Sequence, residues 1–349
     1  MDYIGSKTKL VGWIAGHIQR QVARLGMTPR KTCFLDACAG SGTVAAHMAT
    51  QGFRVEAVDL MAFSQHMVRG KVGFPSTKFN VAHELMQKIN EAPGVQGLFW
   101  KHYSPAGDRM FFTEDNARRI DTARQCILEV TDPEVQSYLF YCGLETLSRV
   151  ANTAGTHGAY MKQWKDRAKG LFMLLPQTSQ WCPEVHAQQG DATALVGTLG
   201  EDVLYLDPPY TTRQYGPNYH LYDTFVLPRF PVVKGKTGLP DDIARSDFCK
   251  TEMDVAGLVH RLLRQTTARL MFISYSSDGT VGLDQMMTSL MGGAQQSSIE
   301  VQVREYPRYR SAEQDTSKKL SDTPLREYLF IIERTEPNVW DLLSEWSQL

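Results

Sequence analysis

The apolar run Val203-Leu204-Tyr205-Leu206 leads straight into Asp207-Pro208-Pro209-Tyr210, and this junction constrains the fold more than any other stretch. It reads as a buried strand that ends in an acid, two prolines and an aromatic. A carboxylate, stiff backbone carbonyls and a flat π face are thereby gathered at the carboxyl edge of a sheet, where open α/β sheets bind ligands. Asp and Pro both form turns, so a single Asp-Pro would mean only a turn. With Pro near 5% of average usage, an acid or amide followed by Pro, Pro and an aromatic should occur by chance in about 1% of chains of this length.

A second strand-to-turn junction lies nearer the amino terminus. Thr32 to Cys38 reads as a short buried strand containing Asp36, followed by Ala39-Gly40-Ser41-Gly42 and then a helix-like Thr43 to Gln51. Glycines there permit a tight turn and close approach of a ligand to backbone N–H groups at a helix start. Gly40 to Ala45 also fits the G-x-G-x-x-A nucleotide fingerprint, and a second strand, Phe53 to Val58, ends in Asp59. That acid falls near the ~20-residue spacing of one that holds ribose hydroxyls. Asp36, ahead of the glycines, suits a ligand with a positive amino group.

The chain has 349 residues, of which 42% are hydrophobic and 21% charged, so it can bury a full core in one elaborated domain or two. A net charge of -1 excludes a globally basic nucleic-acid binder but permits a local positive face. Six cysteines without a CxxC pair fit reduced thiols and suggest no zinc site. Neither a secretory signal nor a membrane-spanning run is evident, so a cytoplasmic protein is expected. The span between Gly42 and Asp207 is too long for the rest of one half-sheet. From about 61 to 175 its pattern is helical, with Asp132-Pro133-Glu134 marking a helix start before an amphipathic Val135 to Val150.

Taken in order, the segment Tyr3-Ile4-Gly5-Ser6-Lys7, the motif Asp36 to Gly42, a long insert and Asp207 to Tyr210 resemble the D12-class, Dam-like or alpha-ordered, adenine-specific DNA methyltransferases. Locally, Asp207 to Tyr215, Asn218-Tyr219-His220-Leu221, Asn152 to Lys162 and Phe272 to Gly279 are similar to the adenine methylases of type IIS restriction systems. His157 departs from the Tyr expected in that group.

The resemblance implies a Rossmann-like, doubly wound and mostly parallel α/β sheet, with residues 1–60 and 181–349 as the catalytic domain and 61–180 as an inserted helical target-recognition region. Strands are expected near 33–38, 54–59, 184–189, 203–207, 270–275 and 326–332, and residues 211–260 as a loop over the site that orders in part on DNA. The implied reaction carries a methyl group from S-adenosyl-L-methionine to the N6 amine of a flipped-out adenine. Asp207 and the Pro208 carbonyl would accept from that amine, with Pro209 stiffening the turn and Tyr210 stacking on the base. No covalent enzyme intermediate is needed, so Cys38 is expected to line the cofactor site rather than act as a nucleophile.

By the same carry-over, Asp59 would hold the cofactor's ribose and the Asp36, Cys38, Gly40, Ser41, Gly42 turn would admit its methionine part. Gly190-Asp191 would meet its adenine. Tyr3, Gly5, Ser6 and Lys7 would close over the methionine end, with Lys7 near the carboxylate. DNA contacts are expected from Arg213, Gln214 and Tyr215, from Asn218 and His220, from Lys162 and Lys165, and from Arg308 and Arg310, where basic or amide groups interleave with aromatics. The implied partner is double-stranded DNA, with a paired restriction endonuclease allowed and a prokaryotic or phage origin. An RNA adenine methylase, a nicotinamide-binding oxidoreductase and a non-catalytic cofactor-binding subunit stay open on the sequence alone; a protein-glutamine methylase would carry Asn at Asp207.

Overall fold

The computed structural model describes residue 1 and residues 3–293, 297–306 and 324–334. A seven-stranded sheet forms its centre. In chain order the strands are β1 (Cys33–Asp36), β2 (Arg54–Asp59), β3 (Val185–Gln189), β4 (Val203–Leu206), a separate hairpin of β5 (Val233–Lys234) and β6 (Leu239–Pro240), then β7 (Leu270–Ser276), β8 (Ser297–Tyr306) and β9 (Leu325–Arg334). The spatial order is β3-β2-β1-β4-β7-β9-β8. The first five of these run parallel, while β9 lies antiparallel to both β7 and β8.

Side-chain alternation explains why this sheet is covered on both faces. Phe34, Val203, Tyr205, Leu270 and Phe272 point into one core with α1 (Val11–Arg24) and α2 (Thr43–Thr50). Their neighbours Leu35, Leu204, Leu206, Met271 and Ile273 enter the opposite core with α10 (Glu252–Gln265) and α11 (Leu283–Gly293). Every residue of β1, β4 and β7 is buried, as a strand between two helical layers requires. The order reverses between β1 and β4, which pair Asp36 with Tyr205, so the carboxyl ends of both strands open onto the same crevice.

A third core belongs to a helical body. It is built from α3 (Ala62–Val72), α4 (Phe79–Glu91), α5 (Leu98–Tyr103), α6 (Glu114–Leu128) and α7 (Pro133–Val150), joined by α9 (Tyr215–Val226). The expected start of α7 is present: Asp132 Oδ1 accepts from the N–H groups of Glu134 and Val135, with Pro133 in the first turn, where its missing N–H costs nothing. Helix α3 serves both bodies, since Val68 and Val72 enter the sheet core while Phe63 and Met67 enter the helical one. Its contact with α7 depends on Gly70, where an added Cβ would sit 2.2 Å from Tyr141 Cβ. Gly70→Ala is therefore expected to cost about 2 kcal/mol and lower the thermal midpoint by roughly 5 °C; a melting curve checks it.

Two expectations change. Residues 211–260 are not a loop: α9 buries Tyr219, Leu221, Tyr222 and Phe225, the β5–β6 hairpin follows, and α10 begins at Glu252. Pro217 lies in the first turn of α9, where proline is tolerated, so the Pro-Asn composition conceals a helix. Residues 304–306, which open the basic-aromatic stretch that holds Arg308 and Arg310, are the end of β8 at the sheet edge, a strand not among those expected.

Candidate active site

Asp207 leaves the end of β4 and stands beside the end of β1, so the two acids Asp36 and Asp207 flank the switch point. One cleft there is lined by Tyr3, Gly5, Ser6, Lys7, Asp36, Cys38, Gly40, Ser41, Asp59, Asp191 and the tetrapeptide Asp207 to Tyr210. Pieces separated by most of the chain thus share one cavity.

At the glycine turn, Gly40 and Gly42 have φ of 52° and 72°, left-handed backbone that glycine adopts without strain. A Cβ on Gly40 would meet the Tyr3 ring at 2.8 Å, and one on Gly42 would meet Val68 at 2.7 Å. Asp59 accepts from the Gly40 N–H at 2.7 Å and the Met61 N–H at 2.8 Å, which ties the end of β2 to the turn. Burial raises its carboxyl to about 6, so it is largely ionised at neutral pH with lone pairs left for a ligand diol. Asp36 accepts from the Ala45 N–H at 3.0 Å through Oδ2, and the Cys38 N–H also acts on the carboxylate, while its buried Oδ1 has no well-formed hydrogen bond. Burial, then the charge of Asp207, pushes Asp36 up to about 8. A buried carboxyl oxygen without a well-formed hydrogen bond in a cleft suits a ligand ammonium, which would both satisfy the oxygen and favour its charged form.

The catalytic end is held by charge. Lys7 is 4% exposed and its Nζ lies 2.8 Å from each oxygen of Asp207, 2.6 Å from Tyr210 Oη and 3.5 Å from Glu327 Oε1. Tyr210 Oη is 2.5 Å from Asp207 Oδ1 and 2.9 Å from Glu327 Oε1, so its one proton serves one carboxylate at a time. Ser274 Oγ donates to Glu327 Oε1 at 2.7 Å. Thr280 donates its N–H and Oγ to the Tyr210 carbonyl at 2.7 and 3.0 Å, clamping the turn's backbone. Burial raises Asp207 above the usual carboxylate range even though Lys7 pulls the other way.

This arrangement corrects two expectations and redirects others. Lys7, expected near a cofactor carboxylate, pairs with the Asp207 carboxylate, as a 4%-exposed ammonium needs a near anion. His220 is 1% exposed, with Nδ1 3.0 Å from the Pro217 carbonyl and its ring against Tyr103, so it packs the helical body and presents nothing to DNA. Gly190 is absent from the cleft wall; its N–H bonds the Asp59 carbonyl, and an added Cβ would strike Leu195 at 2.4 Å. Asp191 caps the short helix α8 (Ala192–Leu195) after β3 through the Thr193 N–H while also lining the cleft.

Of the expected DNA contacts, Arg213 is exposed beside the cleft, whereas Gln214 exchanges two hydrogen bonds with the Ser246 backbone and acts as a strut. Tyr215 lines the cleft at 5.9 Å centroid distance from both Tyr3 and Tyr219. The Asn218 carbonyl accepts from the His157 N–H at 2.7 Å. Lys162 and Lys165 lie on an irregular segment away from the cleft wall. Arg308 and Arg310 lie outside the described residues. His157, in place of the expected Tyr, is buried with its ring 4.4 Å from that of Tyr222.

Sequence reasoning missed Glu327, Ser274 and Thr280. A signal for Glu327 existed: it is an acid at the start of the apolar strand Tyr328 to Ile332, in phase with the core residues Leu329 and Ile331. No helix of the described residues is long and apolar enough to cross a membrane.

Residues 3–271 match the family model of the D12 class N6 adenine-specific DNA methyltransferases. The chain is 31% identical to the type II methyltransferase M.NlaIII of Neisseria lactamica over 96% of its own length and 100% of that protein. It is 32% identical to M.CviAII of Paramecium bursaria Chlorella virus 1, over 95% and 98% respectively. The match to M.FokI of Planomicrobium okeanokoites, 28% identical, covers 96% of this chain and 53% of that one.

Proposed function

Because the chain belongs to the D12 class N6 adenine-specific DNA methyltransferases and is a site-specific, S-adenosylmethionine-dependent enzyme of that kind, we propose a division of labour within its cleft. Asp36 and Asp59 hold the cofactor, and Asp207 receives the amine of a flipped-out adenine. The reading is carried by one observation: Asp36, whose buried Oδ1 has no well-formed hydrogen bond, Asp59 and Asp207 all line the same cleft. The readings as an oxidoreductase, an RNA methylase or a non-catalytic subunit fall away with family membership.

When bound, the cofactor supplies an electrophilic sulfonium methyl group. The protein's task is positioning, because adenine's exocyclic amine is a weak nucleophile whose lone pair is delocalised into the ring. Asp207 and the Pro208 carbonyl, accepting its two N–H bonds, draw the nitrogen toward pyramidal geometry and expose the lone pair. Methyl transfer would form the N–C bond as the sulfonium S–C bond breaks, the electron pair leaving with a neutral thioether, and the cationic nitrogen would then give one proton to solvent, with the Asp207 carboxylate stabilising that charge. An amine within a duplex cannot reach this cleft, so base flipping, costing a few kcal/mol, is offset by stacking and phosphate contacts. The helical body, with Arg213 at the cleft mouth, is the proposed surface for double-stranded DNA. A type II partner endonuclease and a cytoplasmic location complete the proposal, on the names of the relatives.

Titration calorimetry with S-adenosylmethionine tests the cofactor assignment. Asp59→Ala removes two acceptors from the ribose and releases the Gly40 N–H, so the Kd should rise about 100-fold. At pH 7, Asp36, with a pKa of about 8, is mostly protonated; a ligand ammonium lowers that pKa, so binding should release a proton and tighten as pH rises toward 8. Equal heats in buffers of different ionisation enthalpy would remove Asp36 from the ammonium site.

A further inference from the structure

We infer that Glu327 is a positioning residue that takes the Lys7 ammonium off Asp207 when the target adenine enters, and so hands the catalytic carboxylate its full charge. The inference rests on the reading that Asp207 accepts the adenine amine. Lys7 Nζ sits 2.8 Å from both oxygens of Asp207, astride the acceptor that the amine needs. Substrate and lysine therefore compete for one carboxylate.

A displaced ammonium in so enclosed a place requires another anion, since a buried charge without a partner costs several kcal/mol. Glu327 provides one. It is 0% exposed, its Oε1 is already 3.5 Å from Lys7 Nζ, and its Oε2 has no hydrogen-bond partner among the described residues. A buried carboxylate oxygen without a donor is uncommon and calls for an explanation; a lysine that arrives during the catalytic cycle is one. Ser274 holds Oε1 at 2.7 Å, and Tyr210 Oη, whose proton it shares with Asp207, lies 2.9 Å away, so the receiving group is anchored. The transfer also has an electrostatic use. While Lys7 lies on Asp207 the carboxylate is neutralised; once Lys7 moves to Glu327, the negative charge on Asp207 faces a nitrogen that turns cationic as it gains the methyl group. Glu327 follows the end of the family match at residue 271, so that match assigns it nothing.

Glu327→Gln keeps an acceptor for Ser274 and Tyr210 but removes the charge that attracts Lys7. Single-turnover methyl transfer to unmethylated plasmid DNA should slow about 10-fold or more, with the Kd for S-adenosylmethionine unchanged. Adding Lys7→Met to Glu327→Gln removes one charge of each sign, so the doubly substituted enzyme keeps the wild-type net charge in the cleft. It should run about 10-fold faster than Glu327→Gln alone, because nothing then blocks Asp207. A double variant as slow as Glu327→Gln, or an unchanged rate in Glu327→Gln itself, overturns the inference. Asp207→Ala measured alongside separates the two ideas: its activity, if retained, refutes Asp207 as the acceptor, whereas its loss together with an unrescued double variant refutes only the transfer of Lys7.

Discussion

Asp207→Ala should reduce the single-turnover rate of adenine N6-methylation by about 10³-fold or more while leaving DNA affinity within a few-fold of wild type. The substitution removes the acceptor that pyramidalises the amine and stabilises its developing positive charge. Without it, Lys7 loses its nearest anion and settles on Glu327, 3.5 Å away, so the cleft becomes less negative at the step where a cation forms. Uncatalysed orientation by Pro208 alone cannot replace a charge-assisted hydrogen bond. Quantifying methylated adenine in DNA from cells that express the variant, beside filter binding of the purified protein, separates chemistry from recognition. A rate within 10-fold of wild type would refute the assignment.

The second large effect concerns stability. Lys7→Met leaves Asp207 and the fully buried Glu327 facing each other without a cation, and breaking a buried ion pair by removing one partner costs about 3–5 kcal/mol. A fall in the thermal midpoint of roughly 10 °C is expected. The pH dependence has a definite sign. Burial already holds the Asp207 carboxyl above its usual range, and loss of Lys7 raises it further; a carboxyl with a higher pKa folded than unfolded binds more protons in the folded state. Stability then increases as pH falls through the folded pKa. The deficit of the variant should accordingly be greatest at the alkaline end of a pH series and shrink as pH falls toward the acid side. Melting curves of both proteins across that range decide it, and a pH-independent deficit would point to lost packing of the lysine stem instead.

Much of the sheet was legible because its strands carry local signals. Val203 to Leu206 and Leu270 to Ile273 are continuous apolar runs, and each of the two key acids stands at a strand end, where a parallel sheet exposes it. The edge strand β8 was not legible: only Ile299, Val301 and Gln302 are partly covered while Ser298, Glu300 and residues 303–305 are exposed, and such a largely exposed strand resembles a polar segment until β9 is placed beside it. Helix α9 was hidden for a different reason. Its Gly216, Pro217 and Asn218 are turn formers, and only burial of Tyr219 and Tyr222 against Phe63 of α3 and of Phe225 against Phe99 and Phe140 overrides that preference.

The sequence by itself determined the chemistry-bearing pieces and their order: a glycine turn between Asp36 and Asp59, and an acid-proline-proline-aromatic turn after a buried strand. Short-range sterics and hydrophobic patterning suffice for that, since each piece is encoded within about ten residues. What tertiary structure alone decided is which charges face one another. Lys7, Asp207, Tyr210, Ser274 and Glu327 come from both ends and the centre of the chain, and nothing local in any of them specifies the others. Their meeting follows from the crossover that sets β4 between β1 and β7 and from the antiparallel return of β9, which brings Glu327 opposite Ser276. Electrostatic pairing depends on distance and burial, both fixed only once the sheet has closed.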